Sequence, residues 1–262
     1  MKKHFYPIFA LFLVGVMFSC QSPKSNSTKE EAAGIDSMAP NPFITHMYTA
    51  DPSAHVWADG RLYVYASHDI DPPRGCDLMD RYHVFSTDDM VNWTDHGEIL
   101  NSSQVPWGRK EGGFMWAPDC AYKDGTYYFY FPHPSDTKWN DSWKIGVATS
   151  KEPAANFTVQ GYIEGMDPLI DPCVFVDDDG QAYIYNGGGQ ICKGGKLKDN
   201  MVELDGEMKE MEGLEDFHEA TWIHKYNGKY YLSYSDNHDE NWNDGVKGDN
   251  LSLIHISEPT RP

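Results

Sequence analysis

The chain has 262 residues, a formal charge of −19 at neutral pH and 14% aromatic residues. So acidic a surface repels phosphate backbones and anionic lipid, which argues against nucleic acid as a partner and against a polybasic membrane patch. No segment carries a long apolar stripe at helical spacing, so helical and α/β classes give way to an all-β fold.

The chain opens on Lys2 and Lys3, then an apolar run from Phe5 to Phe18, then Ser19 and Cys20. That is the pattern of an export signal, and it is too short for a membrane span. With Met17, Phe18 and Ser19 before it, Cys20 resembles the lipid-accepting cysteine of bacterial lipoprotein signals, with Met17 where leucine is favoured. Residues 1–20 are therefore expected to be a lipoprotein-type signal and Cys20 the site of lipid attachment. The protein is expected to be exported and held to a cell-envelope membrane by that lipid alone. Residues 21–46, rich in Ser, Lys, Glu and Pro, read as a flexible tether. Cys76, Cys120, Cys173 and Cys192 remain, an even number that an oxidising compartment allows to pair. Cys120 and Cys173 fall within strands, where a small buried apolar role is expected.

From residue 47 a unit recurs, its copies beginning at Asp51, Trp116, Asp171 and Glu219. In each, a short apolar run meets Asp59-Gly60, Asp124-Gly125, Asp179-Gly180 or Asn227-Gly228 and then an alternating aromatic run, the signature of a β-hairpin. Further strand-like pairs from Tyr82, Trp143 and Gln190 fill the intervals, so a unit holds four strands. The spacing of about 50 to 65 residues is close to the period of propeller blades. Residues 47–250 thus read as three complete units and the first hairpin of a fourth, an incomplete propeller of about three and a half blades. Residues 251–262 resemble an in-frame translation of a sequencing-library adapter and are expected to be a foreign tail. On that reading the domain is truncated, and with its inner faces uncovered it is expected to fold poorly and to fall short of a working enzyme.

An Asp ahead of a Pro at a strand start is ordinarily turn chemistry. Three acids heading repeated hairpins are a different matter, because the repeat brings Asp51, Asp171 and Glu219 around one axis, where like charge and burial raise at least one pKa. Two carboxyls flanking a glycosidic bond, one protonating the leaving oxygen and one activating water, suffice for its hydrolysis. Sugar recognition needs flat apolar faces, for which Trp116 is the best candidate, with Phe114 and Met115 on the loop before it. Asp119 is expected either to contact a hydroxyl or to cap the strand turn. His55, His83 and His224 show no metal-ligand spacing, and no metal site is expected.

The succession Ala50-Asp51-Pro52-Ser53, Trp116-Ala117-Pro118-Asp119, Asp171-Pro172 and His218-Glu219-Ala220 resembles glycoside hydrolase family 43, the five-bladed propeller glycosidases. The resemblance covers about residues 47–250. It implies Asp51 as the general base, Glu219 as the general acid and Asp171 as a third carboxylate that orients the acid. It also implies inversion at the anomeric carbon and a plant-wall polysaccharide or oligosaccharide substrate of arabinofuranoside or xyloside type. The sequence departs from many members at Ala220-Thr221, where they carry Gly-Pro or Ala-Pro. An axial calcium, in members that have one, and a sugar-binding arginine belong to later blades, so no cofactor is expected. Two other readings stay open: a retaining fructan hydrolase of the related five-bladed group, and a non-catalytic sugar-binding propeller.

Overall fold

The structure, a computed structural model, describes residues 42–70, 75–138 and 140–235 in full and the backbone of 236 and 252–257. The expected signal with Cys20, most of the tether and the loop 241–250 lie outside the described residues. No described helix is long and apolar enough to cross a membrane.

Every sheet is antiparallel and, in the first three units, runs in sequence order from its first strand outward. The first contains β1 (Tyr48–Val56), β2 (Leu62–Asp69), β3 (Arg81–Thr87) and β4 (Trp93–Asn101). The second contains β5 (Asp119–Lys123), β6 (Thr126–Pro134), β7 (Trp143–Ser150) and β8 (Thr158–Tyr162). The third contains β9 (Ile170–Val176), β10 (Ala182–Gly188), β11 (Ile191–Lys196) and β12 (Lys209–Glu210). In the fourth, β13 (Phe217–Tyr226) pairs with β14 (Lys229–Asp236), and β14 with β15 (Ser252–Ser257). The strands β1, β5, β9 and β13 touch one another in that order, so the first strand of each blade is the inner one.

β15 falls in the segment that the sequence sets apart as a foreign tail. Its backbone runs antiparallel to β14, from Tyr230 opposite Ser257 to Ser235 opposite Ser252. An exposed strand edge accepts any extended neighbour, so this pairing bears on shape and not on the segment's origin.

Local chemistry accounts for the hairpins. Asp124 and Gly125 (φ 49° and 76°) and Asn227 and Gly228 (φ 49° and 73°) form two-residue turns with both centres left-handed, the geometry that matches the twist of paired strands. Each blade interface then has its own apolar cluster. Tyr65, Tyr82, Phe129 and Phe131 fill the space between the first and second blades. Tyr130, Ile145, Ile184 and Leu197 do so between the second and third, and Cys192, Phe217, Leu232 and Tyr234 between the third and fourth. Cys76, Cys120, Cys173 and Cys192 are all free thiols, the last three buried.

At the axis one side chain ties the blades together. Asp119, 1% exposed, opens β5. Its Oδ1 accepts from His55 Nε2 of the first blade and from its own neighbour Cys120 N, each at 2.7 Å. Its Oδ2 accepts from Val174 N of the third blade at 2.7 Å. The His55 ring stacks on Trp57 at 4.8 Å and lies 5.2 Å from Trp222 of the fourth blade. Asp119→Ala strands two buried backbone donors and an imidazole, and each such orphan costs about 1–3 kcal/mol. Urea unfolding of that variant should show a loss of at least about 2 kcal/mol, and Asp119→Asn, which keeps one acceptor oxygen, a smaller one.

Candidate active site

The hairpin register decides where the acids stand. The fifth residue after each turn glycine, namely Tyr65, Tyr130, Tyr185 and Ser233, pairs with Ser53, Asp119, Cys173 and Trp222. Two residues before those partners come Asp51, Ala117, Asp171 and Ala220. The fourth blade therefore differs from the expected repeat, since Ala220 and not Glu219 holds the place of Asp51 and Asp171. Backbone geometry agrees. Asp51 (φ 46°), Asp171 (φ 51°) and Ala220 (φ 60°) are all left-handed, and in each of these blades the ladder register shifts at that point. The shift is a β-bulge, which re-aims a side chain at a strand end. Asp tolerates left-handed backbone better than most residues, whereas Ala pays for it. In the fourth blade Glu219 sits one residue earlier, and its longer side chain reaches the same space.

That space is a cleft of about 880 Å³ at one end of the axis. Asp51, Asp171 and Glu219 line it together, as the sequence expects, along with Trp116, Pro118 and Trp222. Asp171 is buried, and its Oδ2 accepts from Ala220 N at 3.0 Å, which couples the third blade to the bulge of the fourth. Glu219 is more open, with His218 Nε2 at 3.8 Å.

The electrostatics follow from this crowding. The mass of protein around Asp51 strips hydration from its charged form and raises its carboxyl above the usual range, and the charges of Glu219 and Asp69 add to the rise. Burial acts more strongly on Asp171. With Glu219 and Asp51 as further repulsive neighbours, and despite the Ala220 N–H, its carboxyl stands well above the ordinary value. The same two aspartates, after burial itself, push the Tyr82 phenol up.

Trp116 is a wall of the cleft, and it is held on several sides. Its Nε1 donates to Cys76 O at 2.7 Å, its carbonyl accepts from Tyr82 Oη at 2.7 Å, and its ring packs 4.9 Å from Trp143. Two expectations need correction. Phe114 does not line this cleft; it borders another with Asp77 and Arg109, its ring 5.6 Å behind Trp116 and under the Arg109 guanidinium. Met115 is fully buried. Asp119 stands behind the wall, both oxygens taken by the axial bonds, so a capping role replaces contact with a hydroxyl. Sequence reasoning missed Cys76, Met79 and Ser235, which line the cleft, and Tyr82, which braces it. Cys76 and Met79 come from the link between β2 and β3, where no repeat position marks them.

Three acids held on the inner strands of the first, third and fourth blades, beside an aromatic wall, place the chain among known proteins. Residues 39–249 match the family described as Glycosyl hydrolases family 43. The chain belongs to glycosyl hydrolases family 43. It is 40% identical over 250 residues to a xylosidase/arabinosidase of Humicola insolens, covering 74% of each chain. It is 35% identical to a xylosidase/arabinosidase of Bacteroides ovatus, covering 72% of this chain and 70% of that one. Among solved structures, a family 43 β-xylosidase/α-arabinofuranosidase from a compost metagenome, bound to xylotriose, superposes with a TM-score of 0.66 at 38% identity, over 77% of this chain and 73% of that one.

This family 43 chain is a glycoside hydrolase, and its four sheets are blades of the family's five-bladed propeller. Family membership sets aside the fructan hydrolase and the non-catalytic propeller. Among the described residues no group of three His, Cys, Asp or Glu side chains is disposed to hold a metal ion.

The Asp171 geometry has a consequence for stability. A carboxyl whose folded pKa is raised binds its proton more tightly folded than unfolded, so its contribution falls as pH rises from the unfolded value through the folded one. Asp171→Asn removes the buried charge and keeps the acceptor for Ala220 N. Its melting temperature should exceed that of the wild type at pH 7, and the gap should close as pH falls to about 4, the unfolded carboxylate range.

Proposed function

We propose that the cleft hydrolyses glycosidic bonds of plant-wall polysaccharides or oligosaccharides with inversion, releasing xylose or arabinose. The observation that carries this reading is the convergence of Asp51, Asp171 and Glu219 on one cleft, where burial and then the charge of Glu219 raise both aspartates. The names of the relatives, and the xylotriose bound by one structural neighbour, supply the sugar class.

In this mechanism Asp51, ionised, takes a proton from water on one face of the sugar ring while Glu219 protonates the leaving oxygen on the other. An inverting pair stands about 6.5–9.5 Å apart to leave room for that water. Asp171 accepts from Ala220 N, beside the acid, and thereby fixes the backbone that carries Glu219. Trp116 supplies a flat face for the ring carbons.

Three measurements test the roles. Glu219→Ala should lose about 10²–10⁴-fold on substrates with poor leaving groups and much less on aryl glycosides, while Asp51→Ala should be severe on both; equal losses across substrates for Glu219→Ala would remove it as the acid. Proton NMR of the first products should show the inverted anomer. The residual aryl glycosidase activity of Glu219→Gln should have its acid limb at lower pH than the wild type, because the Glu219 charge that raises Asp51 is gone.

The cellular setting is part of the same proposal. Export and anchorage through a lipid on Cys20 would put the enzyme where polymer fragments arrive. Metabolic labelling with an alkynyl fatty acid should mark the wild type and leave Cys20→Ala unlabelled.

A further inference from the structure

The inner strand of the fourth blade departs from the others in a second way. In the first blade the ladder ahead of the acid's bulge is regular, from Tyr48 opposite Asp69 to Ala50 opposite Ser67, and β5 pairs with β6 without a shift. β13 slips twice. Besides the bulge between Glu219 and Trp222 that it shares in kind with the first and third blades, it has a shift between Phe217 and Glu219, where three residues face Ser235 and Asp236. The residue inserted there is His218. Successive side chains of a regular strand point to opposite faces, and an inserted residue breaks that alternation. His218 and Glu219, neighbours in the chain, thus line the same cleft.

We infer that His218 is a second donor to the leaving oxygen, acting beside Glu219 on the atom that Glu219 protonates. The inference rests on Glu219 as the acid and adds a residue to that step.

Distance and exposure carry it. His218 Nε2 stands 3.8 Å from Glu219 Oε1, too far for a hydrogen bond between them and near enough for both to reach one oxygen at about 2.7–2.9 Å each. The atom that must come within reach of Glu219 is the glycosidic oxygen, so the imidazole meets that atom too. The two side chains are 32% and 40% exposed and face the space that a substrate fills. Among the described residues no hydrogen bond holds the ring of His218, and a neutral imidazole with its proton on Nε2 has that N–H to give.

The step balances without a second proton. As the bond from C1 to the leaving oxygen breaks, its electron pair passes to that oxygen, Glu219 gives the oxygen its proton, and the water that Asp51 deprotonates bonds to C1. His218 keeps its own proton and donates to a lone pair that the transferred proton does not use. Its bond strengthens while negative charge gathers on the oxygen, which is where a fixed donor accelerates a reaction. A sugar leaving group draws most on this help. A nitrophenolate, which carries its charge well, draws little.

The test is a series of aryl pentosides of graded leaving-group acidity, with a pentose disaccharide at the poor end, run on the full chain, on His218→Leu and on His218→Gln. Leu removes the donor, whereas Gln sets an amide N–H close to where Nε2 stands. In His218→Leu, kcat for the disaccharide should fall about 10- to 100-fold with KM little changed, and the loss should shrink toward none at the most acidic nitrophenyl pentoside. His218→Gln should keep most of the wild-type rate across the series. An equal loss at every leaving group, a loss carried by KM, or a His218→Gln as impaired as His218→Leu would overturn the second donor. Glu219→Ala on the same series keeps the two readings apart. If its losses show no dependence on the leaving group, the acid assignment fails and the inference falls with it; if they do and those of His218→Leu do not, the acid stands and only the second donor is lost.

Discussion

Everything at the axis depends on the carboxylate of Asp119. A propeller blade is stabilised along its strands by the ladder and across its faces by apolar packing, but neither fixes how far the inner strands stand from one another. Asp119 does, because it accepts at once from the first blade through His55, from its own blade through Cys120 N and from the third through Val174 N. These are directional bonds in a water-poor setting, where a misplacement of a few tenths of an ångström is felt. The acids lie one bulge further along the same inner strands, so the spacing set by Asp119 is inherited by Asp51 and Asp171.

The blade interfaces are otherwise alike in kind and unequal in detail. Each has an apolar cluster and at least one tyrosine hydroxyl crossing to a neighbouring carbonyl or carboxylate, as Tyr65 does to Pro153 O, Tyr130 to Met201 O and Tyr230 to Asp177 Oδ2. Such groups combine a large buried surface with one directional bond, which is why the aromatic run after every turn serves the fold so well. Tyr65, Tyr130 and Tyr230 serve the interfaces in this way, and the indole surface of the cleft falls to Trp116 and Trp222.

Much of this is legible in the sequence because hairpins announce themselves. The Asp-Gly and Asn-Gly turns, the alternation after them and the recurring acids give the all-β blades and the three carboxylates at once. What the sequence does not display is anything set by register or by links. The register that gives Ala220, and not Glu219, the place of Asp51 is not visible in the motif, because the bulge is alike in the three blades and the offset comes from the tight turn at Asn227-Gly228, where the first and third blades carry a longer loop. Phe114 and Asp119 illustrate the same limit. Both flank Trp116 closely in sequence, yet the loop turns one ring behind the wall and the strand turns the other side chain toward the axis. Cys76 and Met79 reach the cleft, and Tyr82 braces it through Trp116 O, and only three-dimensional packing brings them there.

The bulges also divide labour between backbone and side chain. At Asp51 and Asp171 a single residue must both accept a left-handed backbone and supply an acid, and Asp is the acid that does so at least cost. In the fourth blade the two tasks fall to different residues, Ala220 bending the chain and Glu219 carrying the carboxyl. Freed from the bend, that acid can be one methylene longer. The gap between the group that would draw a proton from water and the group that would give one to the leaving oxygen is thus written into strand pairing. It is settled when the hairpins zip, before any substrate arrives, and no rotamer change at either carboxylate alone would reset it.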